Sequence, residues 1–380
     1  MSVMGIEEDP YPLRTIAFIG DRHLWARMPQ YADACTAWAW AIDDAHQAGV
    51  DLFVNLGDVC QGWPASGAEL DRLVGFYQAE GRTGTLPIEV LGNHEAPDAL
   101  DWLPTAKIAR VVAHQLMGYG FANVFLGLIP YPRRGAPPFD ALGAQDIRGS
   151  LLAAAARIGE AITTWRDVAR SRPLIIAGHF TVGGMRVGNS DFELHTGTEV
   201  VVSPALLADA DLVLTGHIHK PQEIEHVVNV GSTWRCTRAE RTDTKSYVLA
   251  HVTYPTVTWE RREIPTRPML DFSLSWAEVV AGRLPHDVSG AEVFATVLVQ
   301  ESDLPAYEET RLATLLETRG AARWTIERET PRHERVRAPE ITTPSERSLY
   351  RELELWATAT GRSLDGREDA IRTKLEQVTV

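Results

Sequence analysis

Seven side chains able to bind metal fall in five short segments of the first 220 residues: Asp21 and His23, Asp58, Asn93, His179, and the pair His217 and His219. Carboxylate oxygen, amide oxygen and imidazole nitrogen are the donors that two hard or borderline divalent cations a few ångströms apart require, with at least one carboxylate shared between them. Asp21 and His23 stand two apart, as do His217 and His219, so on an extended chain each pair projects to one side. A single Gly-Asp or Gly-His after a strand is ordinarily a turn or a cap. Five such segments in order, ending in Gly-His-Ile-His, have no packing explanation and point to a metal centre.

Each segment sits behind an apolar run of strand length that closes in glycine: TIAFIG before Asp21, DLFVNLG before Asp58, IEVLG before Asn93, PLIIAG before His179 and DLVLTG before His217. Continuous β-branched and apolar runs of this length predict strands buried on both faces. Helical patterns at 37–49 and 151–171 lie between them, so the reading is a layered α/β domain. In such domains the ligand crevice lies beyond the carboxyl ends of the strands, where all five polar groups fall. Glycine before each group is expected to let the chain turn sharply. Residues 222–264 hold further strand-like runs, EIEHVVNVG, SYVLAHVTY and VTWERREI, which suggest a second sheet packed on the first. FATVLVQ at 294–300, a helical stretch at 307–320 and WTIERE at 324–329 predict a separate βαβ unit. A charged, proline-containing linker at 331–344 precedes a helix that places Leu349, Leu353 and Trp356 on one face behind a Ser345 cap.

The 380 residues are 44% hydrophobic and 23% charged, ordinary globular composition with room for more than one core. The N-terminal MSVMGIEEDPYPLR is acidic and proline-containing where a secretory leader would be basic and then apolar, and no run reaches the length of a membrane span. Three widely spaced cysteines, Cys35, Cys60 and Cys236, fit neither a disulfide framework nor a zinc site, so a soluble cytoplasmic protein is expected. Lys plus Arg number 37 against 51 Asp plus Glu, a formal charge of −14. Such a surface repels polyanions unless cations gather locally.

The order D.H, GD, GNH, GH and GH.H resembles the calcineurin-like metallophosphoesterases. The run that follows, GHIHKPQ at 216–222, NVGSTWRCTRAER at 229–241, Lys245 before a strand and IPTRPML at 264–270, is similar to one branch of them, the SbcD-type exonucleases of DNA double-strand-break repair in bacteria and phages. The resemblance covers about residues 14–360. It implies an α/β fold: a two-sheet αββα metallophosphoesterase (nuclease) domain over 1–264, a smaller α+β capping domain over 265–335, and a linker with C-terminal helices that bind an ATPase over 336–380. It further implies one metal on Asp21, His23 and His219, a second on Asn93, His179 and His217, Asp58 as the bridge, and His94 as the catalytic histidine that protonates the leaving oxygen. The implied cofactors are two divalent ions, Mn2+ foremost. The implied partners are DNA, an SbcC-type coiled-coil ATPase and a second copy of the chain. The expected activity is Mn-dependent exonuclease and endonuclease cleavage of DNA phosphodiesters. The alternative is a phosphatase or cyclic-nucleotide phosphodiesterase acting on small phosphoesters.

Glu95 stands where relatives mostly carry aspartate, a carboxylate at longer reach that is expected to be tolerated, and Gln61 stands where relatives often carry Asp or His. Arg22, Arg133, Arg134, Arg186 and Lys220, with Gln61, are candidates for contact with substrate, the basic ones as a phosphate rim or as plain solvated charges. The face of Leu349, Leu353 and Trp356 suits either the ATPase or packing within the chain. Cys60 reads as a buried structural thiol.

Overall fold

The computed structural model describes residues 4–62, 64–133, 139, 147–186, 199–330, 349–362, 364, 366, 369–371 and 373–374. The chain divides into two compact units. The first takes in the described residues of Met1–Asp271 with Val288–Phe294 and Glu317–Trp324, and it holds two mixed sheets. One is six-stranded, in the order Thr256–Glu263, Ser246–Thr253, Thr15–Ile19, Leu52–Asn55, Ile88–Val90, Arg110–Val112. The other is seven-stranded, in the order Met4–Asp9, Leu116–Phe121, Phe125–Ile129, Leu174–His179, Leu212–Gly216, Val227–Asn229, Gln222–Ile224.

Alternation along the strands explains the layering. Ile16, Phe18, Leu52, Val54, Ile88 and Val90 of one sheet meet Leu126, Leu128, Ile175, Ala177, Leu212 and Leu214 of the other in a core between the sheets. The residues in between, such as Ala17, Ile19 and Phe53, face the helix Tyr31–Gln47 through Trp38 and Ala41. On the far side Phe125, Ile176 and Val213 pack on the helix Ile147–Ala169 through Ile158, Ile162 and Trp165. Each fully buried side chain of this kind contributes roughly 1.5–3 kcal/mol. Strands buried on both faces cannot alternate polar and apolar, which is why their sequences are continuous apolar runs. The fold is thus the expected αββα sandwich.

All five candidate ligand segments follow strands that pair in parallel with one another: Thr15–Ile19, Leu52–Asn55 and Ile88–Val90 in one sheet, Leu174–His179 and Leu212–Gly216 in the other. Parallel pairing brings their carboxyl ends to one edge. The strands of 222–264 do not form a sheet of their own, contrary to expectation. Gln222–Ile224 and Val227–Asn229 complete the seven-stranded sheet, and Ser246–Thr253 pairs antiparallel with Thr15–Ile19 in the other. Ser246–Thr253 and Thr15–Ile19 come from opposite ends of this unit's sequence, and pairing at that distance leaves no local signal.

Further along, the strands Met269–Ser275, Glu292–Leu298 and Arg323–Glu329 form a three-stranded sheet, and the helix Glu309–Thr318 lies between the last two in sequence. The second compact unit takes in Phe272–Asp287, Ala295–Leu316 and the described residues from Thr325 onward, including the helix Leu349–Thr360. Leu353 and Trp356 on that helix are half-buried and Ala357 is buried. The linker at 331–344 and the Ser345 cap lie outside the described residues. Among the described residues no helix is long and apolar enough to cross a membrane.

Candidate metal centre

At the shared strand edge the seven predicted side chains converge. Asp21, His23 and His219 offer ligand atoms within 4.8 Å of one another; so do His23, Asp58 and His94, and so do Asp58, His179 and His217. Asp58 belongs to two of these groups, and so does His23. Asn93 joins through its Oδ1, which lies 2.8 Å from His179 Nε2 and 2.9 Å from His217 Nδ1.

The backbone that delivers these groups is tight. His23, Asp58 and His217 themselves take φ of 43°, 49° and 87°, a region L-residues seldom occupy, so the turns are made by the ligand residues as much as by the glycines before them. Of those five glycines only Gly57 has positive φ, at 92°. The rest answer a different demand. A Cβ on Gly92 would lie 2.1 Å from Asp58 Oδ1, and one on Gly20 would lie 2.0 Å from the carbonyl oxygen of Gly231. Close approach of neighbouring loops, more than sharp turning, is what requires glycine here.

The outer nitrogens of three histidines are committed to acceptors. His179 Nδ1 donates to Leu56 O at 2.6 Å, His217 Nε2 to Glu199 Oε2 at 2.8 Å, and His219 Nδ1 to Glu240 Oε1 at 3.0 Å. With the proton on the outer nitrogen, the inner nitrogen of each ring presents a lone pair. Two acceptors confront the inner nitrogen of His179, whose Nε2 faces Asn93 Oδ1 at 2.8 Å and Asp58 Oδ2 at 3.3 Å, while His219 Nε2 faces His23 Nε2 at 2.8 Å. Lone pairs gathered against lone pairs in a buried site are what a cation satisfies, so the residues present fit divalent metal. Burial by itself would lower the His179 imidazole, but Asp58 outweighs it and raises the group to about 9, so a proton competes with a cation for its inner nitrogen. Burial and the neighbouring His219 push His23 down to about 3. Burial would raise Asp58; the surrounding His179, His23 and His94 instead hold its carboxyl far below the usual range.

His94 sits at the more open side, its side chain 30% exposed. Its Nδ1 bonds the backbone carbonyl of Gln61 at 2.8 Å and its Nε2 lies 3.9 Å from Asp58 Oδ2. Position 61 therefore supports His94 through its main chain, whatever its side chain. Glu95 accepts from the backbone N–H of Cys60 at 3.1 Å and of Gly92 at 3.0 Å, tying the two central loops together. Burial, reinforced by the charge of Asp58, pushes its carboxyl up to about 8. Glu69 secures a third loop: it forms a capping box with Ser66 at the start of the helix Gly67–Glu80 and accepts from Ala26 N at 2.7 Å.

The expected phosphate rim is corrected in part. Arg22 is fully buried, its guanidinium donating to Glu89 at 2.6 and 3.0 Å and lying 4.7 Å from the Trp38 ring centroid, so its charge faces inward and not toward a substrate. Arg133 Nη2 braces the loop from within, donating to Asn93 O at 3.0 Å and Glu95 O at 2.8 Å. Lys220 is half-buried directly after His219, and Arg186 is exposed with its backbone bonded to Gln222. Arg134 lies outside the described residues. Cys60 is buried, and burial raises its thiol, as suits a structural role. Glu199 and Glu240 were not foreseen; nothing in their spacing marks them, because each reaches its histidine only through the fold.

The family described as Calcineurin-like phosphoesterase matches residues 14–221. Among solved structures the chain is similar to a dimetal phosphatase from Danio rerio, at 12% identity, covering 66% of this chain and 96% of that one with a TM-score of 0.44. It is also similar to a protein of Thermus thermophilus, at 15% identity, covering 66% of this chain and 99% of that one with a TM-score of 0.40. No curated protein matches the chain.

Proposed function

The chain belongs to the calcineurin-like phosphoesterases, and from that premise we propose that it cleaves DNA phosphodiesters, as the nuclease subunit of an SbcC-SbcD-like repair complex. Phosphoester hydrolysis at a two-cation centre is the generic chemistry of the family and the clustered donors. The observation that carries it is the set of inward lone pairs on His179, His217, His219 and Asn93 around Asp58. In this reading Asp21, His23 and His219 hold one ion and Asn93, His179 and His217 the other, with Asp58 between them and Mn2+ the native metal. Such ions, when bound, neutralise charge on phosphoryl oxygens and lower the pKa of water. His94, held by Gln61 O and open on its other side, donates a proton to the leaving oxygen. The cations also offset the net charge of −14 locally, since exposed charges beyond about 10 Å are largely screened.

The step from phosphoester to DNA rests on sequence, on the run from GHIHKPQ through NVGSTWRCTRAER to IPTRPML. The same reading makes 1–264 the nuclease domain, 265–335 a capping domain and 336–380 the segment for a coiled-coil ATPase, in a cytoplasmic homodimer. A second reading, hydrolysis of phosphomonoesters or cyclic nucleotides, needs only the family match and the metal cluster, and those back it more directly than they back DNA. Incubating the protein with Mn2+ and, in parallel, linear duplex DNA, single-stranded DNA, a cyclic nucleotide and p-nitrophenyl phosphate separates the two. Degradation of DNA ends is the expected result. DNA left intact, with and without a coiled-coil ATPase, alongside turnover of the small esters would replace the first reading by the second.

A further inference from the structure

His217 and His219 each have a carboxylate on the outer nitrogen, but the two carboxylates are built differently. Glu199 is half-buried. Glu240, 21 residues beyond His219, is buried and every oxygen of it is engaged: Oε1 accepts from His219 Nδ1 and Thr237 Oγ1, both at 3.0 Å, and Oε2 accepts from Lys245 Nζ at 2.7 Å and Cys236 N at 3.2 Å. Lys245 is buried too and uses all three of its protons, on Glu240, on Ser232 Oγ at 2.9 Å and on the backbone carbonyl of His219 at 3.1 Å. Ser232 N donates to that same carbonyl at 3.1 Å. Both the ring and the main chain of His219 are thus gripped by one buried ion pair.

A buried ion pair is weak support for stability, because apolar side chains of similar volume do as well or better. What this pair does supply is orientation: a charged acceptor that keeps the proton on His219 Nδ1, leaves Nε2 as a lone-pair donor and raises its basicity. We infer that Glu240, braced by Lys245, is a positioning residue for His219 and sets the affinity of one of the two cation sites, that of Asp21, His23 and His219. The inference rests on the reading of His219 as a ligand. It reaches a residue pair outside the ligand set, in the 3-10 turn Arg238–Glu240 and just before the strand Ser246–Thr253.

The test is Mn2+ binding to the chelator-stripped full chain, followed by titration calorimetry and by electron paramagnetic resonance of free Mn2+. Two variants are compared with wild type. Glu240→Leu combined with Lys245→Met removes the pair at once and leaves Asp243, 3.6 Å from Lys245 Nζ, without its cation, and Glu240→Gln keeps an acceptor for His219 without the charge. Wild type is expected to bind two ions. The double variant is expected to hold one of them about 10–100-fold more weakly and the other as before, with Glu240→Gln in between. Should the double variant not fold, Glu240→Gln alone is decisive, through a weakened single site at an unchanged circular dichroism spectrum. Two ions bound with wild-type affinity in a folded variant overturn the inference while leaving the ligand assignment standing. A wild-type chain that binds fewer than two ions overturns the ligand assignment itself. A third ion, lost on Cys236→Ser, would assign His219, Cys236 and Glu240 to another cation and also overturn it.

Discussion

Replacing Arg22 by methionine tests whether this arginine is a phosphate contact or an internal brace. Its guanidinium is wholly buried and meets Glu89 through two hydrogen bonds of 2.6 and 3.0 Å, with a third to Gly57 O at 3.3 Å. Methionine fills similar space beside Trp38 but leaves the Glu89 carboxylate buried with Tyr77 OH, at 2.6 Å, as its remaining hydrogen-bond donor. Breaking a buried pair in this way costs about 3–5 kcal/mol, because the surviving charge has neither water nor a counter-ion. Combining it with Glu89→Gln removes that charge, and the double variant is expected to regain about 2–3 kcal/mol of the loss. The assay is urea denaturation of all four proteins in chelator, read as a thermodynamic cycle. An Arg22→Met protein as stable as wild type, or one whose loss the second substitution does not relieve, rules out the internal brace. A raised KM with no change in stability would return Arg22 to the substrate.

Three further outcomes follow from the same geometry. His94→Ala is expected to lower kcat by about 10^2–10^4-fold while Mn2+ binding by calorimetry stays intact, since general acid-base groups contribute on this order; loss of a bound ion instead would make His94 a ligand. Gly92→Ala would set a Cβ 2.1 Å from Asp58 Oδ1 and 2.3 Å from Asp58 N, so both activity and metal binding are expected to collapse, and a soluble variant with normal turnover would contradict the close-approach argument. Glu80 concerns pH. Burial, only partly offset by Arg22 and by hydrogen bonds from Asn55 and Trp38, pushes its carboxyl from 4.5 up to about 7. A carboxyl raised on folding keeps its proton in the folded state, so its contribution is full below pH 4.5 and is lost as pH rises through 7. Relative to Glu80→Gln, the wild-type protein is expected to lose about 2–3 kcal/mol of unfolding free energy between about pH 5 and 8 in chelator; a difference that does not vary with pH would refute the buried-acid assignment.

Much of this centre is legible in the chain because the strongest signals are local. A strand covered on both faces must be apolar throughout, so the five runs declare themselves, and a ligand segment must follow the strand directly for its side chains to reach the common edge. The donor types of Asp21, His23, Asp58, Asn93, His179, His217 and His219 are set by chemistry before any fold exists. Long-range pairing is different in kind. Which sheet receives Ser246–Thr253, whether Arg22 points out to a phosphate or in to Glu89, and which carboxylates stand behind His217 and His219 depend on distant partners: Glu199 lies 18 residues from its histidine, and Glu89 lies 67 from Arg22. A buried charge is tolerable only where a counter-charge arrives from elsewhere in the chain, and no spacing rule announces that arrival. Local chemistry therefore wrote the candidate metal donors and their strands into the chain, whereas packing chose which charges turn inward to hold those side chains in place.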